Sequence, residues 1–406
     1  MVKITFLGDI MCKREQLCAV QRTGRSFDDA FVGIRELLLD SDYVVGNLET
    51  PLAGEEAKYS YRPAEFNTPD AFAVALKKIG INFVTTANNH CLDRGIDGLK
   101  RTLDALDAAG IAHTGTYRSV EESAHLAIIE LKGVKVSLLA STYGTNSEHH
   151  MPLLKENEFW AVDMLKLQEP WRTAPGTTKL IDLKRKLLSL MPIRARDALL
   201  VLKNGLPKES PRDFTVDNVP PDVIEDERHN ARLAAQLKKV LVAKSKSDIV
   251  IALPHVGGQY NPHPGEYAKY IVGSFVKTGV DAVVANHSHN PLNFELRGAV
   301  PIAYSLGNFA STPYVDWYVY GSLADYSVVL NAYVDECTRS FAKFTYSIVK
   351  NVRQEDGFTY TVPAVRHLKG LRNRTERERV EVEMQAVARR FSGNYLQDLF
   401  VGEYDI

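Results

Sequence analysis

The chain has 406 residues, enough for one large domain or two ordinary ones, because domains usually contain ~100–200 residues. Its 49 basic and 50 acidic residues nearly cancel and form no long block of one sign, which argues against nucleic acid as a partner. No run of ~18 apolar residues and no signal-peptide pattern occurs, so we predict a cytoplasmic protein without a transmembrane anchor.

Strands and helices alternate regularly in the first third of the chain. Apolar runs predict strands over residues 2–7, 43–46 and 82–86, and apolar positions at helical spacing predict helices over residues 27–39, 69–79 and 95–109. This alternation is typical of an α/β fold with parallel strands, because each helix returns the chain to the same edge of the sheet.

The regular pattern is interrupted once. The strand-like runs "AHLAIIEL" and "VKVSLLAST" precede a stretch rich in Pro, Lys and Glu, over about residues 145–225, which we interpret as an insertion. Beyond it we predict, in order, a helix over 226–245, the strand "DIVIALPH", a helix over 266–278, the strands "DAVVANHSH", "FELRG" and "PIAYSLGNF", a hairpin from "YSVVLNAYVD" and "FAKFTYSIV", and a charged helix over 374–390. We therefore predict one domain over residues 1–365, insertion included, and a helical extension over 366–406.

Polar side chains collect at the predicted carboxyl ends of these strands, where α/β sheets bind polar ligands. They are Asp9 in "GDIM", Glu49 in "GNLE", Asn88, Asn89 and His90 in "ANNH", His255 in "LPHVG", His287 and His289 in "NHSH", and Asn308 in "SLGNF". Imidazole, carboxylate and amide oxygen suit divalent Mn, Fe or Zn. Two such ions roughly 3.5–4 Å apart, bridged by Glu49 and a hydroxide, would suit the hydrolysis of a phosphoester.

Each of these residues also has a purely structural explanation. Asp9 could cap a helix, and Asn88 and Asn89 could be turn residues that tolerate a left-handed backbone. A lone histidine such as His255 is more often structural than a ligand. We favour a metal site because so many independent coincidences at strand ends are hard to produce by packing alone.

Six motifs resemble one known family. "GDIM", "GNLET", "ANNHCLDRG", "PHVGGQY", "NHSHNP" and "YSLGNF" occur in the order found in the poly-γ-glutamate capsule synthesis protein CapA family, of the calcineurin-like metallophosphoesterase superfamily. The resemblance covers roughly residues 1–145 and 245–315. It implies a four-layer αββα sandwich, and a metal-dependent hydrolase that acts in capsule or cell-envelope polymer metabolism.

The resemblance also implies a role for each motif residue. Asp9 and His289 would bind the first ion, Glu49 would bridge both ions, and Asn89, His255 and His287 would bind the second. His90 would face the substrate as proton donor or phosphate contact, held by Asp93. Tyr260 and Asn308 would line the pocket.

One departure from the family keeps a second hypothesis open. Met11 stands where the superfamily's D-x-H opening has its histidine, so the first ion has one ligand fewer. A weakly held first ion would favour a protein that makes or binds poly-γ-glutamate without hydrolysing an ester; cleavage of an amide bond is a third hypothesis. Arg14 and Arg62 are candidates to clamp a small or polymer-linked anionic substrate, with ordinary surface arginines as the plain alternative.

Overall fold

The computed structural model describes residues 1–60, 65–146, 152–168, 227–313 and 323–406. Its strands are, in chain order, β1 Val2–Ile10, β2 Tyr43–Leu48, β3 Phe83–Thr85, β4 Ala112–Thr114, β5 Ala127–Leu131, β6 Val134–Thr142, β7 Ile249–His255, β8 Ala282–Val284, β9 Phe294–Arg297, β10 Val300–Ala303, β11 Asn308–Ala310, β12 Tyr326–Asp335, β13 Ser340–Arg353, β14 Thr359–Pro363 and β15 Tyr404–Asp405. Its helices are α1 Arg14–Thr23, α2 Ile34–Leu38, α3 Asp70–Lys78, α4 Gly95–Ala109, α5 Val120–Ser123, α6 Glu227–Lys244, α7 Glu266–Thr278, α8 Ala364–Gly370 and α9 Arg374–Ser392. Short 3-10 turns cover Phe27–Ala30 and Glu156–Ala161.

The described strands form two sheets. The first sheet has nine strands, with the order β14-β13-β12-β1-β2-β3-β4; β11 pairs with β1, and β15 pairs with β13. The second sheet has six strands, in the order β5-β6-β7-β8-β10-β9. Strands β1 to β4 run parallel, as do β6, β7 and β8. The predicted parallel α/β arrangement is therefore confirmed at the centre of both sheets.

The apolar core shows that the two sheets lie face to face between helices. Phe6 of the first sheet and Ile251 of the second belong to one central cluster. The outer face of the first sheet packs against α1 to α4, for example through Leu103. The outer face of the second sheet packs against α6 and α7, for example through Phe275. These layers confirm the predicted four-layer αββα sandwich.

The C-terminal helix α9 completes the central core. Val380, Met384 and Phe391 are buried in the same cluster as β12 and β13, and the Phe391 ring lies 5.3 Å from the Tyr346 ring. Because the first sheet has more strands than the second, α9 covers an inner surface that the second sheet leaves open. The predicted charged helix over 374–390 is confirmed, whereas the predicted domain boundary at residue 366 stays a prediction.

Two predicted elements are wrong, and a glycine explains each break. The helix predicted over 27–39 is a 3-10 turn followed by the short α2, because Gly33 between them adopts a left-handed φ of 72°. The run "PIAYSLGNF" is two strands in different sheets, β10 and β11, separated at Gly307 with φ 77°. Helix α1 was not predicted at all.

The insertion predicted over 145–225 falls largely outside the described residues. Its described parts are residues 145–146 and 152–168, and the second contains the turn Glu156–Ala161 and a bridge from Met164 to Thr142 at the end of β6. Among the helices of the described residues, none combines the length and the hydrophobicity that a membrane span requires.

Candidate metal centre

The first sheet supplies two buried carboxylates. Asp9 lies near the carboxyl end of β1, and Glu49 directly follows β2, its neighbour in the sheet. The backbone N–H of Glu49 donates to the carbonyl of Ile10 at 2.9 Å, which continues the parallel pairing past the end of β2. Both carboxylate side chains are completely buried. Two parallel apolar strands that end together therefore place two charged groups side by side.

The second sheet supplies three histidines. His255 ends β7, and His287 and His289 lie in the turn that follows β8. Both turn histidines have positive φ, 114° for His287 and 59° for His289, a backbone conformation that non-glycine residues seldom adopt. Such strain is found where a functional constraint holds a residue in place.

Two groups of side chains converge closely enough to share an ion. Asp9, Glu49 and His289 form the first ligand group, and Glu49, His255 and His287 form the second. Within each group the potential ligand atoms all lie within 4.8 Å of one another. The structure thus brings together five of the six predicted metal ligands in two groups that share Glu49.

The sixth predicted ligand, Asn89, adds an oxygen to the second ligand group. Its Oδ1 lies 2.7 Å from His255 Nε2, and the same nitrogen lies 3.0 Å from His287 Nδ1 and 3.5 Å from a Glu49 oxygen. At most one of two facing imidazole nitrogens can carry the proton between them. Four potential ligand atoms from four chain segments therefore converge within a few ångströms.

The first ligand group is held from both sides. Asn47 Nδ2 donates to Asp9 Oδ1 at 2.8 Å, and His289 Nδ1 lies 3.4 Å from Asp9 Oδ2 and 3.0 Å from Asn308 Oδ1. The ring of Tyr260 lies 5.2 Å from the His289 ring. Asn308 and Tyr260, both predicted to line the pocket, thus contact a predicted ligand.

Glu49 is the least compensated group of the cluster. Neither carboxylate oxygen has a hydrogen-bond partner in the part of the chain that the structure describes, and His287 Nε2 is likewise unpaired. An ionised carboxylate buried without a partner is strongly destabilising, so such groups are normally paired or bind a metal. The donor set, of carboxylates, imidazoles and one amide oxygen, therefore fits divalent Mn, Fe or Zn.

Burial and neighbouring charges shift the pKa values within the cluster in opposite directions. Burial, reinforced by the charge of Asp9, raises the pKa of Glu49 to about 8. Burial lowers the pKa of His255 to about 4 and places that of His287 well below its ordinary value. Burial opposes ionisation of Asp9, but its contacts with His289 and His255 keep its pKa below the ordinary value. Neutral imidazoles are the form that binds metal ions.

His90 lies beside the ligands and is fixed by its own contacts. Its Nδ1 lies 2.8 Å from Asp93 Oδ2, and its ring lies 4.2 Å from the Phe66 ring. Phe66 N–H donates to the same Asp93 oxygen at 2.6 Å. Burial opposes the charged form of His90, but the Asp93 carboxylate raises its pKa above the ordinary value.

The two adjacent asparagines have different surroundings. Asn88 Nδ2 donates to the carbonyl of Leu48 at 2.8 Å, and Asn88 Oδ1 accepts from the His90 N–H at 3.1 Å. Asn88 therefore holds the turn, and Asn89 is the residue whose oxygen reaches the histidines.

The structure describes one of the two predicted arginines. Arg14 begins α1, is half-buried and follows the loop from Asp9. Arg62 lies outside the described residues. The substrate-binding roles of both remain predictions.

Two residues in direct contact with the cluster were missed. Asn47 Nδ2 lies 3.2 Å from His255 Nδ1 and connects it to Asp9. Asn146 accepts a hydrogen bond from Asn89 at 3.0 Å. Asn47 belongs to the motif "GNLE", which could have indicated its role. Asn146 lies at the start of the irregular stretch, where no motif or periodicity indicates a functional residue.

A family model described as "Bacterial capsule synthesis protein PGA_cap" matches residues 3–313. The uncharacterised protein y4sH of Sinorhizobium fredii is 29% identical over 296 residues, 69% of this chain and 61% of that protein. The capsule biosynthesis protein CapA of Bacillus anthracis is 24% identical over 314 residues, 75% of this chain and 59% of that protein. The chain thus spans about 60% of the length of these relatives.

Among solved structures, a putative 5'-nucleotidase from Staphylococcus aureus aligns with 95% of this chain and 58% of its own, at 11% identity and a TM-score of 0.42. A sulfate thiohydrolase, SoxB, from a Thermus species aligns with 96% of this chain and 60% of its own, at 9% identity and a TM-score of 0.38.

Proposed function

This chain belongs to the bacterial capsule synthesis protein PGA_cap family, and from that premise we propose its function. We propose that the protein is a metal-dependent hydrolase of an anionic substrate in capsule or cell-envelope polymer metabolism. The reaction is the hydrolysis of a phosphoester at the two ligand groups. Its cofactors are two divalent transition-metal ions, Mn, Fe or Zn.

The observation that carries this proposal is the environment of Glu49. A completely buried carboxylate with two unpaired oxygens lies between Asp9 and three histidines. A structural role would call for a hydrogen-bond donor on each oxygen, and the described part of the chain provides none. A shared ligand to two cations accounts for both oxygens at once.

Each ligand group has its own residues. Asp9 and His289 would hold the first ion, and Asn89, His255 and His287 would hold the second, with Glu49 common to both. The bound ions would supply positive charge opposite the substrate's oxyanion and would lower the pKa of a coordinated water. Asn47 keeps Asp9 and His255 in register by contacting both.

His90 acts as the general acid that protonates the leaving group. Burial opposes the imidazolium form of His90, but the Asp93 carboxylate at 2.8 Å outweighs burial and raises the pKa of His90 above its ordinary value, which suits a proton donor. Phe66 lies against the ring and restricts its rotation. In the forward reaction His90 donates a proton to the departing oxygen, and Asp93 stabilises the imidazolium before transfer. Arg14 and Arg62 bind the anionic group of the substrate in this proposal, through the guanidinium groups that suit phosphate and carboxylate.

The first test is metal content. Untagged protein is stripped with chelator, reloaded with Mn²⁺, dialysed and analysed for metal per chain, and then assayed on p-nitrophenyl phosphate and bis(p-nitrophenyl) phosphate. We expect close to two ions per chain and hydrolysis that requires Mn²⁺. Binding of less than one ion per chain would contradict the proposal.

A second candidate function is retained because two specific observations favour it. Relatives carry the names "PGA biosynthesis protein CapA" and "Probable polyglutamine synthesis accessory protein", and Met11 leaves the first ligand group without the superfamily's additional histidine. In this function the ions and the arginines would bind the carboxylates of poly-γ-glutamate, and no bond of the polymer would be cleaved. Tight binding of glutamate oligomers by the Mn²⁺-loaded protein, together with no turnover of any phosphoester, would favour it over hydrolysis.

A further inference from the structure

We propose that Asn146 is a positioning residue for the second ligand group, where it fixes which atom of the Asn89 amide faces the histidines. This inference rests on the proposed metal function. Asn146 lies in the turn after β6 of the second sheet, whereas Asn89 follows β3 of the first. The contact between them joins the two sheets at the edge of the cluster.

The orientation of the Asn89 amide decides whether this side chain can bind a cation. A side-chain amide can bind a cation only through its oxygen, so a rotation by half a turn would present an NH₂ group and remove the ligand. Asn89 Nδ2 donates to Asn146 Oδ1 at 3.0 Å. Asn89 Oδ1 is thereby left 2.7 Å from His255 Nε2, among the ligand atoms. The acceptor on Asn146 selects this orientation.

The other end of the Asn146 amide faces His90. Its Nδ2 lies 3.4 Å from both ring nitrogens of His90. One side chain therefore contacts both the proposed ligand and the proposed proton donor, which are consecutive in the sequence. A shift of Asn146 would move the two together.

Burial and the hydrogen bonds of its turn hold Asn146 in place. Its side chain is buried, and its φ of 54° is left-handed, a conformation that asparagine tolerates better than most residues. The preceding turn is closed by the Thr142 hydroxyl, which donates to the Gly144 carbonyl at 2.8 Å, and by the Tyr143 N–H, which donates to the His255 carbonyl at 3.1 Å. The turn that carries Asn146 is thus hydrogen-bonded to the strand that ends in a ligand.

A plain alternative is that asparagine occupies this position only because of its backbone. Asn146→Gly separates the two explanations, because glycine adopts the left-handed φ without strain and removes only the amide. Asn146→Asp keeps an acceptor for Asn89. Asn89→Asp has two equivalent oxygens, so its orientation needs no partner, and Asn146→Gly should then have little additional effect.

The experiment measures Mn²⁺ affinity by titration calorimetry on chelator-stripped full-length protein for the wild type, Asn146→Gly, Asn146→Asp, Asn89→Asp and the Asn89→Asp/Asn146→Gly double variant. We expect Asn146→Gly to weaken one of two ions by ~10–100-fold, as loss of a residue that orients a ligand typically does. We expect Asn146→Asp to retain that ion, and the double variant to match Asn89→Asp. Thermal unfolding in chelator should be the same for the wild type and Asn146→Gly.

Two results would overturn the proposal: wild-type affinity in Asn146→Gly, or an equal loss in Asn146→Asp. If the glycine variant does not fold, Asn146→Ser, whose side chain is too short to reach Asn89, replaces it with the same expected loss. A wild-type chain that binds no Mn²⁺ would refute the proposed function as well, whereas normal wild-type binding with an unaffected Asn146→Gly refutes this inference alone.

Discussion

The first and second ligand groups share Glu49 but differ in the charge and number of their other donors. The first adds the carboxylate of Asp9 and one histidine, whereas the second adds two histidines and the oxygen of Asn89. Burial keeps the pKa of His255 near 4, so the second group offers neutral donors without any rearrangement. The first group has fewer donors but a full negative charge. The two adjacent groups therefore differ in how they would attract a cation: the first relies on charge, and the second on the number of its donors.

Glu49→Gln should have the largest effect on metal content and turnover taken together, because it alters the one residue that both groups use. We expect metal content to fall from two ions per chain to at most one, and phosphoester turnover to fall by ~10²–10³-fold or more. Elemental analysis and the p-nitrophenyl assays measure both quantities. Glu56→Gln, at an exposed position in the same segment, serves as the control. Two tightly bound ions in Glu49→Gln would show that the groups are independent of Glu49.

His90→Ala should separate catalysis from metal binding, since His90 belongs to neither ligand group. We expect two ions per chain as in the wild type, and a fall in kcat of ~10²–10⁴-fold through loss of the proton donor. The matched control is His125→Ala, at an exposed site away from the cluster. Equal loss of metal and turnover would assign His90 to the ligands instead.

The stabilisation of the fold by Mn²⁺ should depend on pH in a way that distinguishes the Glu49 carboxylate from the His255 imidazole. In metal-free protein the pKa of Glu49 is raised from 4.5 to about 8, so its stabilising contribution is complete below pH 4.5 and is lost as pH rises through 8. The pKa of His255 is lowered from 6.5 to about 4, so its contribution is complete above pH 6.5 and is lost as pH falls toward 4. A bound cation would neutralise the charge of Glu49 in place of a proton. This would stabilise the fold most at high pH, where the buried carboxylate is otherwise ionised.

We therefore expect Mn²⁺ to raise Tm more at pH 8 than at pH 6, by at least about 2 °C. Differential scanning fluorimetry with and without Mn²⁺ at the two pH values measures the difference. In Glu49→Gln, which cannot ionise at this position, the difference should shrink. A larger Mn²⁺ effect at pH 6 would contradict the assignment of Glu49 as a buried, uncompensated group.

Met11→His should have the smallest effect and should make the two groups more alike. It places an imidazole two residues beyond Asp9, where the D-x-H pattern has its histidine, and the Met11 side chain is already buried. We expect the weaker ion to bind about tenfold more tightly and the stronger ion to be unchanged, as measured by calorimetry. Met11→Leu preserves volume without a donor and should bind both ions as the wild type does. No change in Met11→His would mean that the first group is already complete.

Much of the fold follows from local patterns in the sequence. Strands such as β6 and helices such as α4 are correctly predicted because each has a consistent apolar period and clear end signals. The errors at Gly33 and Gly307 share one cause. In each case a single left-handed glycine divides an apolar run, and periodicity alone does not show where the backbone turns.

The candidate site could be predicted only as far as strand ends reveal it. Asp9 lies near the end of one apolar strand and Glu49 follows its neighbour, so their closeness follows from the parallel pairing of β1 and β2. His255 also ends an apolar strand, but that strand belongs to the second sheet. The roles of Asn47 and Asn146 depend on contacts with residues far away in the sequence. Such contacts are determined by how the two sheets dock, and no local pattern records that docking.

The division of the ligands between the sheets has a consequence for how the protein folds. Asp9 and Glu49 belong to the first sheet, and His255, His287 and His289 belong to the ends of strands in the second. Both ligand groups therefore contain residues from each sheet, and neither group exists until the sheets have docked. Binding of the proposed ions would consequently be a late folding event that depends on long-range contacts, which form slowly. An intermediate with only one formed sheet has no complete ligand group, so uptake of the ions would report that the two sheets have docked.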